Sequence, residues 1–189
     1  MAEVKGIILS NVARLIRASK NVDWKKYLTD KDLEIINSRI LPSSWYPLDT
    51  YERTEVAIFK EVGKNNLESA RQWGRFLMDS MVNTVYHNIA LEKDPAVALE
   101  KFEMYTKMHY RFDTPGFQAL KTVRKSGNLA QVTVKTDRPT KEFEAHCHQS
   151  LGTLGRLVEI SGGKEVKGVI VEHDWKGKNP YAVLEFSWK

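Results

Sequence analysis

The chain has 189 residues, of which 29 are Lys or Arg and 24 are Asp or Glu, and its formal net charge is +5. Apolar residues make up 42% of the sequence and charged residues 28%, which excludes a disordered tail or a collagen-like chain. The length predicts a single domain over residues 1–189. All of the basic excess falls after residue 100. Such an excess can attract nucleic acid or an anionic ligand, but solvated surface lysines explain so small an excess better.

The cysteine content and the N-terminus set the expected compartment. Cys147 is the only cysteine, so the chain can form no internal disulfide and carries no cysteine-based zinc motif. The N-terminal residues lack the apolar core of a signal peptide, and no stretch approaches the roughly 18 apolar residues of a membrane-spanning helix. The sequence therefore predicts a cytoplasmic protein without a membrane partner.

Residues 1–113 are expected to form a layer of helices, because their apolar side chains recur at helical spacing. A break is predicted at residues 41–47, where Pro42 ends one helix and Ser44 or Asp49 caps the next. Gly63 is a typical stop signal for the helix before it. The fourth helix is expected to carry Val85 near its apolar face. The five predicted helices span residues 3–19, 30–40, 48–62, 67–91 and 95–112, and Thr29 to Asp32 are expected to cap the second of them.

The second part of the chain is expected to be rich in strands. Two β-hairpins are predicted, one over residues 117–136 with its turn at residues 126–128, and one over residues 166–188. Between them, residues 139–160 return to helical spacing, with Cys147 on the apolar stripe. The predicted fold class is α+β: an N-terminal helical layer (residues 1–113) followed by a four-stranded antiparallel sheet in the order hairpin, helix, hairpin (residues 114–189).

Few residue groups in the sequence suggest catalysis or metal binding. His146 and His148 flank Cys147, but side chains two apart on a helix point about 200° from each other and cannot share an ion unaided. Cys147 is expected to pack as a small hydrophobe. Gly152 and Gly155 each cost about 1 kcal/mol relative to alanine, so close approach of their helix to the sheet or to a ligand should offset them, and close packing is the favoured explanation. No phosphate-binding loop or nucleophile–base pair is visible, and the sequence predicts a protein that is not an enzyme.

Three segments, taken with the order of predicted elements, carry a resemblance to a known family. They are Val4–Ile8, Ile40–Pro47 and Glu61–Asn66. The chain resembles the heme nitric-oxide/oxygen-binding domain and its relatives, the vinyl-4-reductase-type sensor domains and subunits of the vesicle transport particle. The resemblance covers essentially the whole chain, and Ile40–Pro47 is closest to a bacterial family of unassigned function in that superfamily. It implies an opening helix at Val4–Ile8 without a preceding strand.

The resemblance assigns one candidate ligand to the last helix before the hairpins. In heme-binding members this helix carries the histidine that binds the iron. The matching residue here is His109, which shares a helix face with Phe102, Tyr105 and Phe112 at spacings of three and four. A neutral imidazole in an apolar pocket is a sound iron ligand. The alternative is a half-buried histidine bonded to a carbonyl.

A second candidate site lies at Val134–Arg138. Heme-binding members hold the heme propionates with a Tyr-x-Ser-x-Arg motif after the second strand of the sheet. Arg138 is retained here and Thr136 keeps a hydroxyl, whereas Val134 replaces the tyrosine. An arginine grips a carboxylate with two charge-assisted hydrogen bonds, so the resemblance implies a propionate clamp weakened by the missing phenol. Arg138 could instead cap the strand-to-helix turn.

The resemblance implies a sensory function. The expected ligand is a small apolar molecule, or heme as the cofactor, bound between helices and sheet, with Trp45 and Phe117 as further aromatic contacts. Binding would be passed to a protein signalling partner, and a homodimer is expected. Two alternatives stay open from the sequence: a non-catalytic assembly module that dimerises, and a weak nucleic-acid binder.

Overall fold

The computed structural model describes residues 1–84 and 86–189 of the chain. Val85, expected on a helix face, therefore lies outside the described residues. The chain divides into two compact units. Unit 1 comprises Met1–Ser69 and Met108–Asp113, and unit 2 comprises Ala70–Lys107 and Thr114–Lys189. The single-domain organisation expected from the length stays a prediction.

The elements give the α+β class that the sequence predicts. The helices are α1 (Gly6–Ala18), α2 (Asp30–Asn37), α3 (Leu48–Glu61), α4 (Leu67–Val82), α5 (His87–Ala90), α6 (Pro95–His109) and α7 (Phe143–Ile160). The strands are β1 (Glu3–Lys5), β2 (Trp45–Pro47), β3 (Tyr110–Arg111), β4 (Leu120–Ser126), β5 (Leu129–Lys135), β6 (Lys167–Asp174) and β7 (Tyr181–Ser187). Among the described residues, no helix is both long and apolar enough to cross a membrane.

Unit 1 contains a small antiparallel sheet that the sequence does not predict, in the order β2-β1-β3. Because Glu3–Lys5 is a strand, the helix predicted over residues 3–19 begins only at Gly6. The expectation of an opening helix without a preceding strand is therefore wrong. Strands of two or three residues are too short to show a period of two, and the buried Val4 fits the helical spacing of α1 by coincidence.

Gly6 is the corner at which β1 turns into α1. Its N–H donates to the carbonyl oxygen of Ser44 at 2.8 Å, and that of Ile7 donates to the carbonyl oxygen of Pro42 at 3.0 Å. A Cβ at Gly6 would lie 2.1 Å from the carbonyl oxygen of Leu41. The predicted break after α2 is thus correct, and it supplies acceptors to the first turn of α1.

Helix α2 begins at the predicted cap. The hydroxyl of Thr29 accepts from the backbone N–H of Asp32, whose carboxylate accepts from the backbone N–H of Thr29. The same buried carboxylate accepts from Arg53 at 2.7 and 2.8 Å and from the Thr50 hydroxyl at 2.7 Å. Asp32 therefore joins helices α2 and α3 as well as capping one of them.

Helix α3 confirms the prediction over residues 48–62, but its predicted cap is wrong. The residue before the helix is Pro47, which makes no side-chain hydrogen bond to the first turn. Asp49 lies inside that turn, where its charge favours the positive end of the helix dipole. Ser44 lies before β2 and is separated from the helix by that strand.

The long helix predicted over residues 67–91 is two helices, α4 and α5. Beyond Val82, the Asn83 side chain donates to the carbonyl oxygen of Asp79 at 2.9 Å and the Thr84 hydroxyl to that of Ser80 at 3.2 Å. Such side chains compete with the backbone for helical acceptors. The next prediction, a helix over residues 95–112, is confirmed up to His109, after which the chain enters β3.

The four-stranded antiparallel sheet of unit 2 is confirmed, in the order β4-β5-β7-β6. Both hairpins form, and a chain crossover through α7 links them. Alternate residues of the central strands are fully buried on the face that carries α7. They are Ala130, Val132, Val134, Ala182, Leu184 and Phe186. On the opposite face, the side chains that the structure describes are half-buried or exposed.

Helix α7 confirms the predicted apolar stripe, and Cys147 on that stripe is fully buried. Its two glycines have different neighbours. A Cβ at Gly152 would lie 1.9 Å from the carbonyl oxygen of Arg71 in α4, and one at Gly74 in α4 would lie 2.0 Å from that of Gln149. A Cβ at Gly155 would meet only the Phe186 ring, at 3.7 Å. The expected close packing is therefore confirmed at Gly152, where the partner is helix α4 and not the sheet, and it is wrong at Gly155, where the sheet leaves room for a Cβ.

Candidate functional site

His109 is the last residue of α6, and β3 follows it directly. Asp94 caps the start of the helix by accepting from the backbone N–H of Ala96 at 2.9 Å. The middle of the helix is held against β4, because the Thr122 N–H donates to the Glu103 carboxylate at 2.7 Å. His109 is half-buried. The fold thus places this imidazole at the end of a helix whose other end and middle are anchored.

Tyr105 lies one turn before His109 within an aromatic cluster. The ring of Tyr86 meets that of Tyr105 edge-on at 5.5 Å and that of Phe102 at 5.2 Å. Such edge-to-face pairs stabilise packing beyond their buried area. Sequence reasoning missed Tyr86 as a member of this cluster, because it assigned that residue to the interior of one long helix.

Phe112 does not share the helix face of His109 as predicted, because α6 ends before it. Phe112 instead stacks on Tyr110 at 6.1 Å with nearly parallel rings, and Tyr110 meets Tyr51 of α3 edge-on, also at 6.1 Å. The helical spacing of Phe112 could not reveal the change to an extended chain at Tyr110.

Residues 134–138, which are predicted to bind a propionate, leave the end of β5 in a tight turn. The Thr136 hydroxyl donates to the carbonyl oxygen of Arg138 at 3.0 Å and accepts from the Arg138 N–H at 3.0 Å. Val134 is fully buried on the face that packs against α7. Arg138 is half-buried. The two hydrogen bonds of this turn use the backbone of Arg138 and not its guanidinium.

Trp45 and Phe117 lie in different surroundings. In unit 1, two cations lie over the Trp45 ring: the Lys5 ammonium is 4.2 Å and the Arg111 guanidinium 3.9 Å from the ring centroid. Arg111 is also ion-paired with Glu3 at 3.0 Å. In unit 2, the half-buried Phe117 precedes β4, and its N–H donates to the carbonyl oxygen of Thr114 at 3.1 Å.

The six candidate residues divide between the two units. Tyr105, Phe117, Thr136 and Arg138 belong to unit 2, and Trp45 and His109 belong to unit 1. The structure directly joins Thr136 with Arg138 through the turn, and Tyr105 with His109 through α6. The assignment of all six to one ligand site stays a prediction.

The residues present fit a heme in part. A half-buried imidazole at a helix end could bind a heme iron, and a half-buried guanidinium could bind a propionate. The phenol of the family motif has no counterpart, because its position is taken by Val134. That side chain is enclosed in the core of the sheet. The Thr136 hydroxyl is engaged in both directions by the backbone of Arg138. His109 thus stays a candidate iron ligand and Arg138 a candidate propionate contact.

Other sequence candidates contribute no metal centre. Among residues 1–84 and 86–189, no group of three or more His, Cys, Asp or Glu side chains is placed to hold a metal ion. His146 stacks on Phe143 at 6.3 Å, and Cys147 is enclosed in the core. Burial raises the pKa of the Cys147 thiol and keeps it protonated.

Comparison with known proteins identifies the fold. No family model and no curated protein matches the sequence. Among solved structures, a mutant of the T. tengcongensis H-NOX domain matches with a TM-score of 0.65 and 15% identity, covering 98% of this chain and 97% of that one. An oxygen-binding H-NOX domain related to soluble guanylate cyclases, solved as its oxygen complex, matches at 0.65 and 16%, covering 98% and 95%.

A Cs H-NOX mutant with an unnatural amino acid gives the same result, with a TM-score of 0.65 and 14% identity over 98% of this chain and 96% of that one. The chain therefore has the fold of H-NOX domains over 98% of its length. The resemblance to heme nitric-oxide/oxygen-binding domains drawn from the sequence is confirmed at the level of the fold.

Proposed function

We propose that this chain is a non-catalytic, ligand-binding sensory domain. The observation that carries the proposal is the agreement of two features. The chain has the H-NOX fold over 98% of its length, and it carries a half-buried histidine at the end of the helix that precedes the sheet region. The first feature concerns the path of the whole chain and the second a single side chain, so neither follows from the other.

In this proposal His109 would bind the iron of a heme, and Arg138 would contact one of its propionates. A heme held in this way would supply an iron atom able to bind a diatomic gas. His109 would orient the group through its place at the end of α6. Arg138 would neutralise a carboxylate with a guanidinium that stays charged at every physiological pH. Tyr105, Phe117, Thr136 and Trp45 remain proposed contacts of the ligand.

The test is an absorption spectrum of the full chain reconstituted with hemin and freed of excess hemin. We expect a Soret band shifted from that of free hemin, and its loss or blue shift in His109→Ala. Added imidazole should restore a shifted band in that variant, because it replaces the missing ligand. His87→Ala is the matched control, since His87 is an exposed histidine of unit 2, and its spectrum should equal that of the unsubstituted protein.

A spectrum without a shifted Soret band would refute the heme assignment and leave a small apolar molecule as the ligand. Native mass spectrometry of the freshly purified protein then shows whether such a molecule co-purifies. Its absence, together with a stable oligomer, would favour the assembly module instead. Bacterial origin, cytoplasmic location, a protein signalling partner and a homodimer belong to the same proposal, which assigns no role in nucleic-acid binding.

A further inference from the structure

The four-stranded sheet of unit 2 has one face covered by α7 and one open face. On the open face, two exposed valines lie at the ends of a row of residues that crosses all four strands. In this row Val123 of β4, Gln131 of β5, Glu185 of β7 and Val169 of β6 stand opposite one another. Val123 is 41% exposed and Val169 51%. Two exposed valines on the outer strands flank a polar centre, in which Gln131 donates to Glu185 at 2.8 Å.

Two neighbouring rows of the open face carry a cation on one side of the sheet and an anion on the other. The row next to the valines begins with Lys121 on β4 and ends with Glu172 on β6. The row beyond it has Lys135 on β5 and Asp174 on β6. Lys121 and Glu172 are three strand spacings apart, about 14 Å, so these two side chains do not pair with each other across their own sheet. In these two rows the β4–β5 side is basic and the β6 side is acidic, whereas Lys167 of β6 lies beyond the valines at the other end of the face.

The β4 edge of this sheet is already covered. The Thr122 hydroxyl of β4 donates to the carbonyl oxygen of Leu99 in α6 at 3.3 Å, and its N–H donates to Glu103. Arg124 is ion-paired with Asp94, just before α6, at 3.1 Å. Helix α6 thus prevents another strand from extending the sheet at β4. The open face, in contrast, presents the two exposed valines and the two charged rows to a partner.

We propose that the open face of this sheet binds the same face of a second copy of the chain. A two-fold axis parallel to the strands and above the midline of the sheet places β4 over β6 of the second copy. Each Lys121 then faces Glu172 of the second copy, and each Val123 faces Val169. The two contacts occur twice, as an isologous interface requires. This packing is a β-sandwich, whose facing sheets lie about 10 Å apart.

The size of the face sets the expected strength of the dimer. Four strands of about seven residues measure roughly 19 Å by 24 Å, which is small beside a standard interface of about 800 Å² per partner. We therefore expect a dimer that dissociates on dilution and weakens as salt screens the lysine–glutamate pairs. The proposal concerns a surface only and does not depend on heme or any other ligand.

The test is the mass of the full chain by sedimentation equilibrium over a range of concentrations. The monomer has a mass of 21.7 kDa, and we expect twice that mass at the higher concentrations. Val169→Arg should weaken the dimer at least tenfold, because it buries two unpaired cations in the interface. Val62→Arg is the matched control, since Val62 is a similarly exposed valine (47%) in unit 1, and it should leave the mass unchanged.

A charge reversal tests the register of the two copies. Lys121→Glu and Glu172→Lys should each weaken the dimer, because each places like charges opposite one another. The double variant Lys121→Glu/Glu172→Lys should restore it. Glu172→Gln checks for an effect within the chain, since Glu172 also accepts a hydrogen bond from the Tyr181 hydroxyl, and thermal unfolding of each variant shows that it is folded.

Three results would overturn the proposal. One is an unsubstituted protein that stays monomeric at the highest concentration, and another is a dimer that Val169→Arg leaves intact. The third is a double charge variant whose dimer is no more stable than the dimer of either single variant. A dimer that is insensitive to substitutions on the sheet would place self-association elsewhere, and a monomer would leave this face to a different protein partner.

Discussion

Asp32 shows how much one side chain can determine in this fold. Burial by itself would raise the pKa of its carboxyl group, but the hydrogen bonds from Arg53, Thr50 and Thr29 outweigh burial and hold the pKa well below its usual range. The sequence identified this residue only as part of a helix cap. Its second role, which joins α2 to α3, depends on Thr50 and Arg53, which lie 18 and 21 positions further along the chain.

The lowered pKa of Asp32 predicts a contribution to acid stability. Because the folded-state pKa lies below the unfolded value of about 3.9, the contribution is complete above that value and is lost as the pH falls through it towards the folded-state pKa. Between about pH 6 and pH 3, the free energy of unfolding should therefore fall more steeply in the unsubstituted protein than in Asp32→Asn. Urea denaturation at several pH values measures the difference. An equal fall in the free energy of unfolding of both proteins would contradict the lowered pKa of Asp32.

At the scale of elements, helices α4 and α7 meet through glycines on both sides. The carbonyl oxygens of Arg71 and Gln149 occupy the positions that Cβ atoms would take at Gly152 and Gly74. A buried hydroxyl adds to the contact, because Thr153 donates to the carbonyl oxygen of Gly74 at 3.1 Å. The sequence predicted close packing for α7 from the cost of its glycines. The partner helix was not predictable, because Gly74 alone in α4 carries no such pattern.

This contact predicts opposite effects for two similar substitutions in α7. Gly152→Ala should lower the free energy of unfolding by about 1–3 kcal/mol, because the new methyl group forces backbone apart. Gly74→Ala should do the same from the other helix. Gly155→Ala is the matched control, and should be neutral or stabilising by up to about 1 kcal/mol, since alanine favours a helix and the Phe186 ring is at ordinary contact distance.

Denaturant unfolding of the three variants compares these effects directly. Equal stabilities of Gly152→Ala and Gly155→Ala would contradict the packing described here. Helix α4 ends at Val82, and in the turn that follows the side chains of Asn83 and Thr84 take backbone acceptors.

At the scale of the whole molecule, Cys147 is a natural probe of unit 2. It is the chain's only thiol, it is fully buried, and burial raises its pKa. A protonated and enclosed thiol reacts slowly. Labelling with a thiol reagent should therefore be at least about a thousandfold slower in the native protein than in urea, because it requires opening of the unit.

Thr140→Cys provides the reference for that experiment. Position 140 is exposed and lies just before α7, so the variant should show one thiol that reacts at once and one that reacts at the slow rate of Cys147. Two fast thiols in the variant, or a fast thiol in the unsubstituted protein, would contradict a closed core around α7.

Much of the fold follows from local sequence alone. Helical spacing predicted α1, α3 and α7, turn residues predicted both hairpins, and Thr29 and Asp32 predicted the start of α2, because each signal acts within a few residues. The character of Cys147 as a core residue and the place of His109 on a helix also followed from spacing. These features need no knowledge of distant parts of the chain.

Tertiary structure decided the rest, because distant residues set the energies. Strands β1, β2 and β3 form only because residues 3–5, 45–47 and 110–111 meet across most of unit 1, and no such short segment is a strand by itself. Position 6 requires a glycine because the Leu41 carbonyl oxygen approaches it. Val134 is enclosed because the sheet packs on α7. Lys121 and Glu172 lie on one face only because of the order of the four strands. Sequence determined the elements, and packing determined which side chains they present together.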